Sequence, residues 1–314
     1  MGLDGIVEDH VLAAMESIAV NPLIDGILWE KDRAMLFAPE KTGKSILALQ
    51  IARCLAGGHD FLGYEVDRPR KVLYIAGEGD LDELQARSAQ MDKLIDTKRD
   101  NLFFWPMPEY PLNKEQGKME LIEVGLHYKP DLTIFDPVYA LMSGSMVSDE
   151  SFGDFVRNLN RYQYLTNSAL FVTHHTHRPK MTDTGQKINE GDDAYFGSML
   201  FKAWPKRVYM LQTRGNKTSR ERKLISTTYR DKTGVPEKGI DLTLVEPSPL
   251  ILETAIEGWS STAWQIWHLL RDGPLKKVDI VRIAGKPNQT VYEAIGKMEG
   301  DGTIKDVNGM YERT

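Results

Sequence analysis

Residues 38 to 45 read Ala38-Pro39-Glu40-Lys41-Thr42-Gly43-Lys44-Ser45. The apolar run Ala34-Met35-Leu36-Phe37 precedes them, and a helical pattern of Ile46, Leu47, Leu49, Ile51 and Leu55 follows. Strand, tight loop and helix in that order aim successive backbone N–H groups and a helix N-terminus at one point, an arrangement that suits a polyphosphate. In such a loop Lys44 reaches the β- and γ-phosphates and the Ser45 hydroxyl can ligate Mg2+. Ala38 stands where the common pattern has its first glycine, which a small residue can do if no positive φ is needed there. Pro39 brings no N–H, so the cradle rests on the later amides. The segment from Ala38 to Ile46 is therefore expected to bind, and the chain to hydrolyse, a nucleoside triphosphate with Mg2+.

Such hydrolysis needs an acidic residue near the metal. Asp136 ends the apolar run Leu132-Thr133-Ile134-Phe135 in the manner of a Walker B aspartate, the alternative being an aspartate that begins the turn at Asp136-Pro137. A second carboxylate must orient or deprotonate the attacking water. Pro137 occupies the position after Asp136, so that group must come from another strand. Glu78, in Gly77-Glu78-Gly79-Asp80 after the run Val72 to Ala76, is the candidate, against a reading in which it complements the dipole of the next helix. A fourth apolar run ends in Thr173-His174-His175-Thr176-His177. Without a companion cluster at metal-ligand spacing, these histidines suit a sensor of the γ-phosphate, by His174 or His175, better than zinc. A pair of histidines capping a strand in solvent is the remaining reading.

The elements that must position these residues read as an α/β fold. Runs at residues 71–76, 101–105, 131–136 and 168–173 suit buried strands, and Phe152, Phe155, Val156, Leu159 and Tyr162 form one face of a helix between the last two. Strands alternating with helices predict a mostly parallel sheet. Beyond residue 200 the runs 207–211, 223–229 and 240–244 are joined by charged turns and predict an antiparallel extension. Residues 1–30 read as a helix over Val11 to Ile18 and a connector, 31–250 as the catalytic domain, and Glu246 to Gly258 as a linker. Residues 259–314 hold three helical patterns, then two strands flanking Asn308-Gly309, as in a winged helix-turn-helix.

The chain has 314 residues, 41% of them hydrophobic, and a formal net charge of −6. That charge argues against coating nucleic acid by bulk electrostatics. No apolar stretch approaches a membrane span and the first ten residues lack a basic region before an apolar core, so a cytoplasmic protein is expected. The single cysteine, Cys54, cannot form an internal disulfide.

Taken together, the motifs resemble the RepA-like branch of the RecA/DnaB/KaiC ATPases, which includes hexameric replicative helicases of plasmids and phages. Four landmarks occur in that family's order: Ala38 to Ser45, Leu73 to Glu78, Leu132 to Pro137, and Val172-Thr173-His174-His175. Phe196-Gly197-Ser198-Met199 is similar to the Gly-Ser segment after its sensor loop. The resemblance implies a RecA-like fold and a homo-hexamer with ATP at subunit interfaces. It also implies an arginine finger acting in trans, for which Arg207 and Arg214 are candidates. Gln212 replaces the lysine of the family's finger segment. Single-stranded DNA is the implied partner, contacted by residues 139–150 and 178–195; the first stretch is acidic and Ser/Met-rich and the second sets Arg178, Lys180 and Lys187 against Asp183, Glu190, Asp192 and Asp193, weak electrostatic support for the contact.

Overall fold

The computed structural model describes residues 7–14, 20–92, 95, 99–144, 149–175, 203–214, 219–227, 234–245, 251–254, 261–270 and 273–314. A short helix, α1 (Asp9–Ala14), and a ribbon of β1 (Pro22–Ile24) and β2 (Leu28–Trp29) lead into β3 (Arg33–Ala38). There follow α2 (Lys44–Gly57), β4 (Val72–Ala76), α3 (Leu81–Asp92), β5 (Leu102–Pro106), α4 (Glu115–Tyr128), β6 (Leu132–Asp136), α5 (Asp149–Thr166) and β7 (Ala169–His175). Four strands succeed one another next, β8 (Arg207–Thr213), β9 (Glu221–Ser226), β10 (Ile240–Val245) and β11 (Ile251–Thr254).

These strands form one nine-stranded sheet in the order β11-β10-β9-β8-β3-β7-β6-β4-β5. From β5 to β8 the neighbours run parallel, and β9, β10 and β11 add on antiparallel, as the change of pattern after residue 200 predicts. The parallel strands β4 and β6 are buried at every position because helices cover both faces. Side chains alternate between two cores. Ala34, Leu36, Val72 and Tyr74 face the cluster that holds Leu47 and Leu55 of α2 and Leu84 of α3. Met35, Phe37, Leu73 and Ile75 face the cluster with Leu121 of α4 and Phe152, Phe155 and Leu159 of α5.

A third cluster, containing Ile266, Ile280, Val291, Ile295 and Ile304, joins α6 (Ser261–Leu269), α7 (Lys277–Ala284) and α8 (Asn288–Gly300) to a small sheet. That sheet has the order β12-β14-β13, from β12 (Leu275–Lys276), β13 (Ile304–Val307) and β14 (Met310–Arg313). Asn308 and Gly309 take φ of 57° and 83°, the two left-handed positions that a tight hairpin turn requires. No described helix is long and apolar enough to cross a membrane.

Three details depart from the sequence reading. The N-terminal helix is found at Asp9–Ala14, and residues 15–19 lie outside the described ones. The stretch read as a linker contains β11, whose Ile251 pairs with Val245. Its apolar Ile251-Leu252 offers β10 an edge partner, a signal masked by the prolines before it. Helix α4 is not in the sequence reading; its fully buried positions are Gly117, Leu121 and Gly125, with Ile122 and Val124 packed beside them.

Gly125 is there to let α4 and α5 approach. A Cβ at this position would lie 2.2 Å from the Tyr162 ring and 2.8 Å from Thr166. Tyr162 cannot swing aside, since it is fully buried and its hydroxyl bonds Thr133 at 2.7 Å. Helix propensity favours Gly→Ala, whereas the contact opposes it. Gly125→Ala should therefore lower stability by about 1–3 kcal/mol in denaturant melts. An unchanged or raised stability would show that the helices do not meet as closely as described.

Candidate active site

Parallel register brings four strand ends to one edge of the sheet. Ala38 at the end of β3 lies opposite His175 of β7, Ala76 of β4 lies opposite Asp136 of β6, and Phe135 lies opposite Val172, which sets Asp136 beside Thr173. The phosphate-type loop leaves this same edge. Gly43 holds φ of 106° and caps α2 without any side-chain bond, so no side chain competes for the first amides of that helix.

Lys44 is 5% exposed, and its ammonium is held at the loop. It donates to the carbonyls of Ala38 at 2.9 Å and Pro39 at 3.0 Å, and lies 3.0 Å from Nδ1 of His175. Burial pushes the Lys44 ammonium down to about 8, against the opposing pull of Asp136, Glu40 and Glu78. His175 is lowered by burial and then by Lys44, so its neutral ring accepts at Nδ1 and carries its proton on Nε2. The Tyr139 ring lies 5.0 Å from it.

Asp136 is 5% exposed and fixed from both sides. Tyr74 of β4 donates its hydroxyl to one carboxylate oxygen and Thr173 of β7 donates to the other. Burial, then the adjoining Asp136 charge, raises Tyr74 well above its ordinary value, so it stays a donor. Gly77 N–H donates to the Asp136 carbonyl at 2.8 Å and ties the segment carrying Glu78 to the end of β6. Gly77 must be glycine for a steric reason: a Cβ there would lie 2.9 Å from Ala140 and 3.0 Å from Leu141. Partial desolvation, then Asp136, pushes the Glu78 carboxyl above the usual carboxylate range, with Lys44 opposing.

Two adjoining cavities take in these groups. One of about 510 Å3 is lined by Gly43, Lys44, Ser45, Glu78, His175 and Arg222 among others. A smaller one of about 170 Å3 is lined by Ser45, Tyr74, Glu78, Arg87, Asp136 and Pro137 among others. Among the described residues no group of three His, Cys, Asp or Glu side chains could hold a metal alone. One hydroxyl, Ser45, and one oriented carboxylate, Asp136, instead match Mg2+, which takes few protein ligands and completes its shell with phosphates and water. The uncapped amides and the buried ammonium match a polyphosphate. The residues present thus fit Mg-ATP.

Of the residues singled out in the sequence, Ser45, Lys44, Glu78, Asp136 and His175 come together here. His174 does not: it is 3% exposed on the opposite side of β7, with its ring 5.8 Å from that of Phe37. Arg207, a candidate trans finger in the sequence, lies apart from this group. It starts β8 beside Ala34, at the edge of the sheet away from the loop, ion-paired with Asp32 and stacked on Trp29. Arg214 follows the end of β8, half-exposed and 2.8 Å from Asp241. Thr176, His177, residues 178–195, Phe196 to Met199, Gly215, Asn216 and residues 145–148 lie outside the described residues.

Sequence reasoning missed Tyr74, Thr173, Arg87 and Arg222. A tyrosine in a fully buried strand must find a partner for its hydroxyl, so Tyr74 was legible in principle. Arg222 was not, because it reaches the loop across 180 residues of sequence separation.

No curated protein matches the chain. Among solved structures, flagellar accessory protein FlaH from Methanocaldococcus jannaschii is similar at 17% identity and a TM-score of 0.46, over 72% of this chain and 91% of that one. So loose a likeness says nothing about activity. The AAA_25 family model, an AAA domain, matches residues 6–181, a span that includes the loop, Glu78, Asp136 and His175. With more than half of its length so matched, the chain belongs to the AAA_25 family of P-loop ATPase domains.

Proposed function

We propose that the chain is a Mg2+-dependent ATPase of the RecA-like kind that works on DNA, in the manner of a RepA-like hexameric helicase. The observation that carries the hydrolytic part is the convergence of Lys44, Ser45, Glu78 and Asp136 on adjoining cavities at the loop. Bound Mg2+ neutralises phosphate charge and orients the terminal group for in-line attack. Ser45 and Asp136 would hold the metal, and Tyr74 and Thr173 keep the Asp136 oxygens aimed. Lys44 exchanges its contacts with Ala38, Pro39 and His175 for phosphate oxygens. Glu78, its carboxylate made more basic by desolvation and Asp136, accepts the proton of the attacking water. His175, in contact with the Lys44 ammonium, is placed to register whether the γ-phosphate is present.

DNA as the target is supported by the C-terminal unit. Its three helices and β-ribbon have the order of a winged helix-turn-helix, and α8 exposes Gln289, Thr290, Tyr292 and Lys297. Residues 259–314 hold eight Lys/Arg against seven Asp/Glu, so its contacts would be local. One observation favours a second reading, an ATP-controlled DNA-binding regulator without motor activity. Arg207 is sequestered by Asp32, which leaves Arg214 as the candidate finger among the described residues and suits slow hydrolysis.

Three outcomes follow. Glu78→Gln should keep Mg-ATP binding and cut turnover by about 100-fold or more. Undiminished turnover would assign the water to another residue. ATP affinity should be level below pH 8 and fall above it, because the phosphate-binding form of Lys44 is the ammonium, which titrates near 8; calorimetry above that pH should register proton uptake on binding. Affinity that rises through pH 8–9 would contradict a charged Lys44 in the site. Single-stranded DNA should stimulate turnover if the chain is a motor, whereas DNA binding without stimulation would select the regulator.

A further inference from the structure

Arg222 is a buried cation without an acidic partner among the described residues. It is 4% exposed, sits near the start of β9 and pairs with Thr213 of β8 and Leu242 of β10. Its donors go to three backbone carbonyls: Nε to Thr42 at 2.7 Å, Nη1 to Ser219 at 2.6 Å and to Glu221 at 2.9 Å. Among the described residues no carboxylate lies within ion-pair distance of it. Isolated charge is costly to bury, and here the cation faces the 510 Å3 cavity that also holds Lys44 and the uncapped N-terminus of α2. Burial accordingly lowers its pKa with no carboxylate to offset the shift.

The Thr42 carbonyl is half of the peptide that joins Thr42 to Gly43. A trans peptide is planar, so fixing its C=O fixes the N–H of Gly43 in the opposite direction. Gly43 makes this peptide easy to flip, since glycine tolerates φ of either sign and here holds 106°. Its N–H has no partner among the described residues. Leu244 of β10 lies beside the same spot, 3.9 Å from where a Gly43 Cβ would be.

We propose that Arg222 is a positioning residue for polyphosphate binding, which locks the Thr42–Gly43 peptide with its N–H presented to the ligand. The antiparallel extension then has a task in the site: β9 carries the lock. A charge-assisted bond suits it better than a neutral one, because the cation also favours the polyanion that completes the cavity. The inference rests on the nucleotide-binding reading above and deepens it.

The experiment measures equilibrium binding of ATP and of inorganic triphosphate by the full chain, for wild type, Arg222→Met, Arg222→Lys and Lys44→Ala, beside thermal melts. Arg222→Met keeps the stem and removes the donors; it should bind both ligands about tenfold more weakly. Arg222→Lys, with one donor for the Thr42 carbonyl, should recover most of that loss. Wild-type affinity in folded Arg222→Met overturns the proposal. So does a loss confined to ATP, which would move Arg222 to the base end of the ligand. A purely structural arginine would lower the melting temperature and leave binding per folded molecule unchanged. If Arg222→Met does not fold, Arg222→Gln supplies a neutral donor, and its affinity should lie between wild type and a tenfold loss; unchanged affinity there also overturns the proposal. Failure of the wild type to bind ATP would instead refute the nucleotide reading, and loss in Lys44→Ala alone would leave that reading standing without this one.

Discussion

The parallel register of β4, β6, β7 and β3 is the constraint on which the site depends. Each strand contributes one chemical group at its carboxyl end, and the hydrogen-bonded ladder decides which groups become neighbours. Asp136 lies beside Ala76 on one side and Thr173 on the other, so a hydroxyl from each adjacent strand reaches its carboxylate. His175 lies opposite Ala38, which puts its ring against the lysine of the loop. A slip of one residue in any of these pairs would turn the side chain to the other face of the sheet and dismantle the arrangement. Packing enforces the register, because the same alternation separates the α2–α3 core from the α4–α5 core.

Charge is distributed with a purpose in this edge. Two buried cations, Lys44 and Arg222, are held chiefly by backbone carbonyls, and both have their pKa values lowered by burial. Two carboxylates stand close by, one oriented by hydroxyls and one partly desolvated. A polyphosphate with Mg2+ would satisfy both sets at once, its oxygens taking the cations and amides while Asp136 would hold the metal. A ligand of this chemistry would relieve the desolvation that these buried charges carry.

Much of this was legible in the sequence. The loop from Ala38 to Ser45 and the acids at Glu78 and Asp136 announce themselves, because each ends an apolar run and strand ends gather at one edge of a parallel sheet. Contacts made across sequence distance were not legible. Nothing local marks Arg222 as a partner of Thr42, and the choice between His174 and His175 turns on which face of β7 each occupies. Arg207 was a candidate because the resemblance sets the finger near the strands after the sensor loop, and its ion pair with Asp32, at the start of another strand, could not be read locally. Local patterning thus named the chemistry, and the long-range register decided which residues could take part.

The account is tested most directly by a crystal structure of the chain with Mg2+ and a hydrolysis-resistant ATP analogue. It predicts the terminal phosphate between the Lys44 ammonium and the Glu78 carboxylate, with the metal on Ser45 and Asp136. A nucleotide bound elsewhere, or a terminal phosphate out of reach of both Glu78 and Asp136, would contradict it.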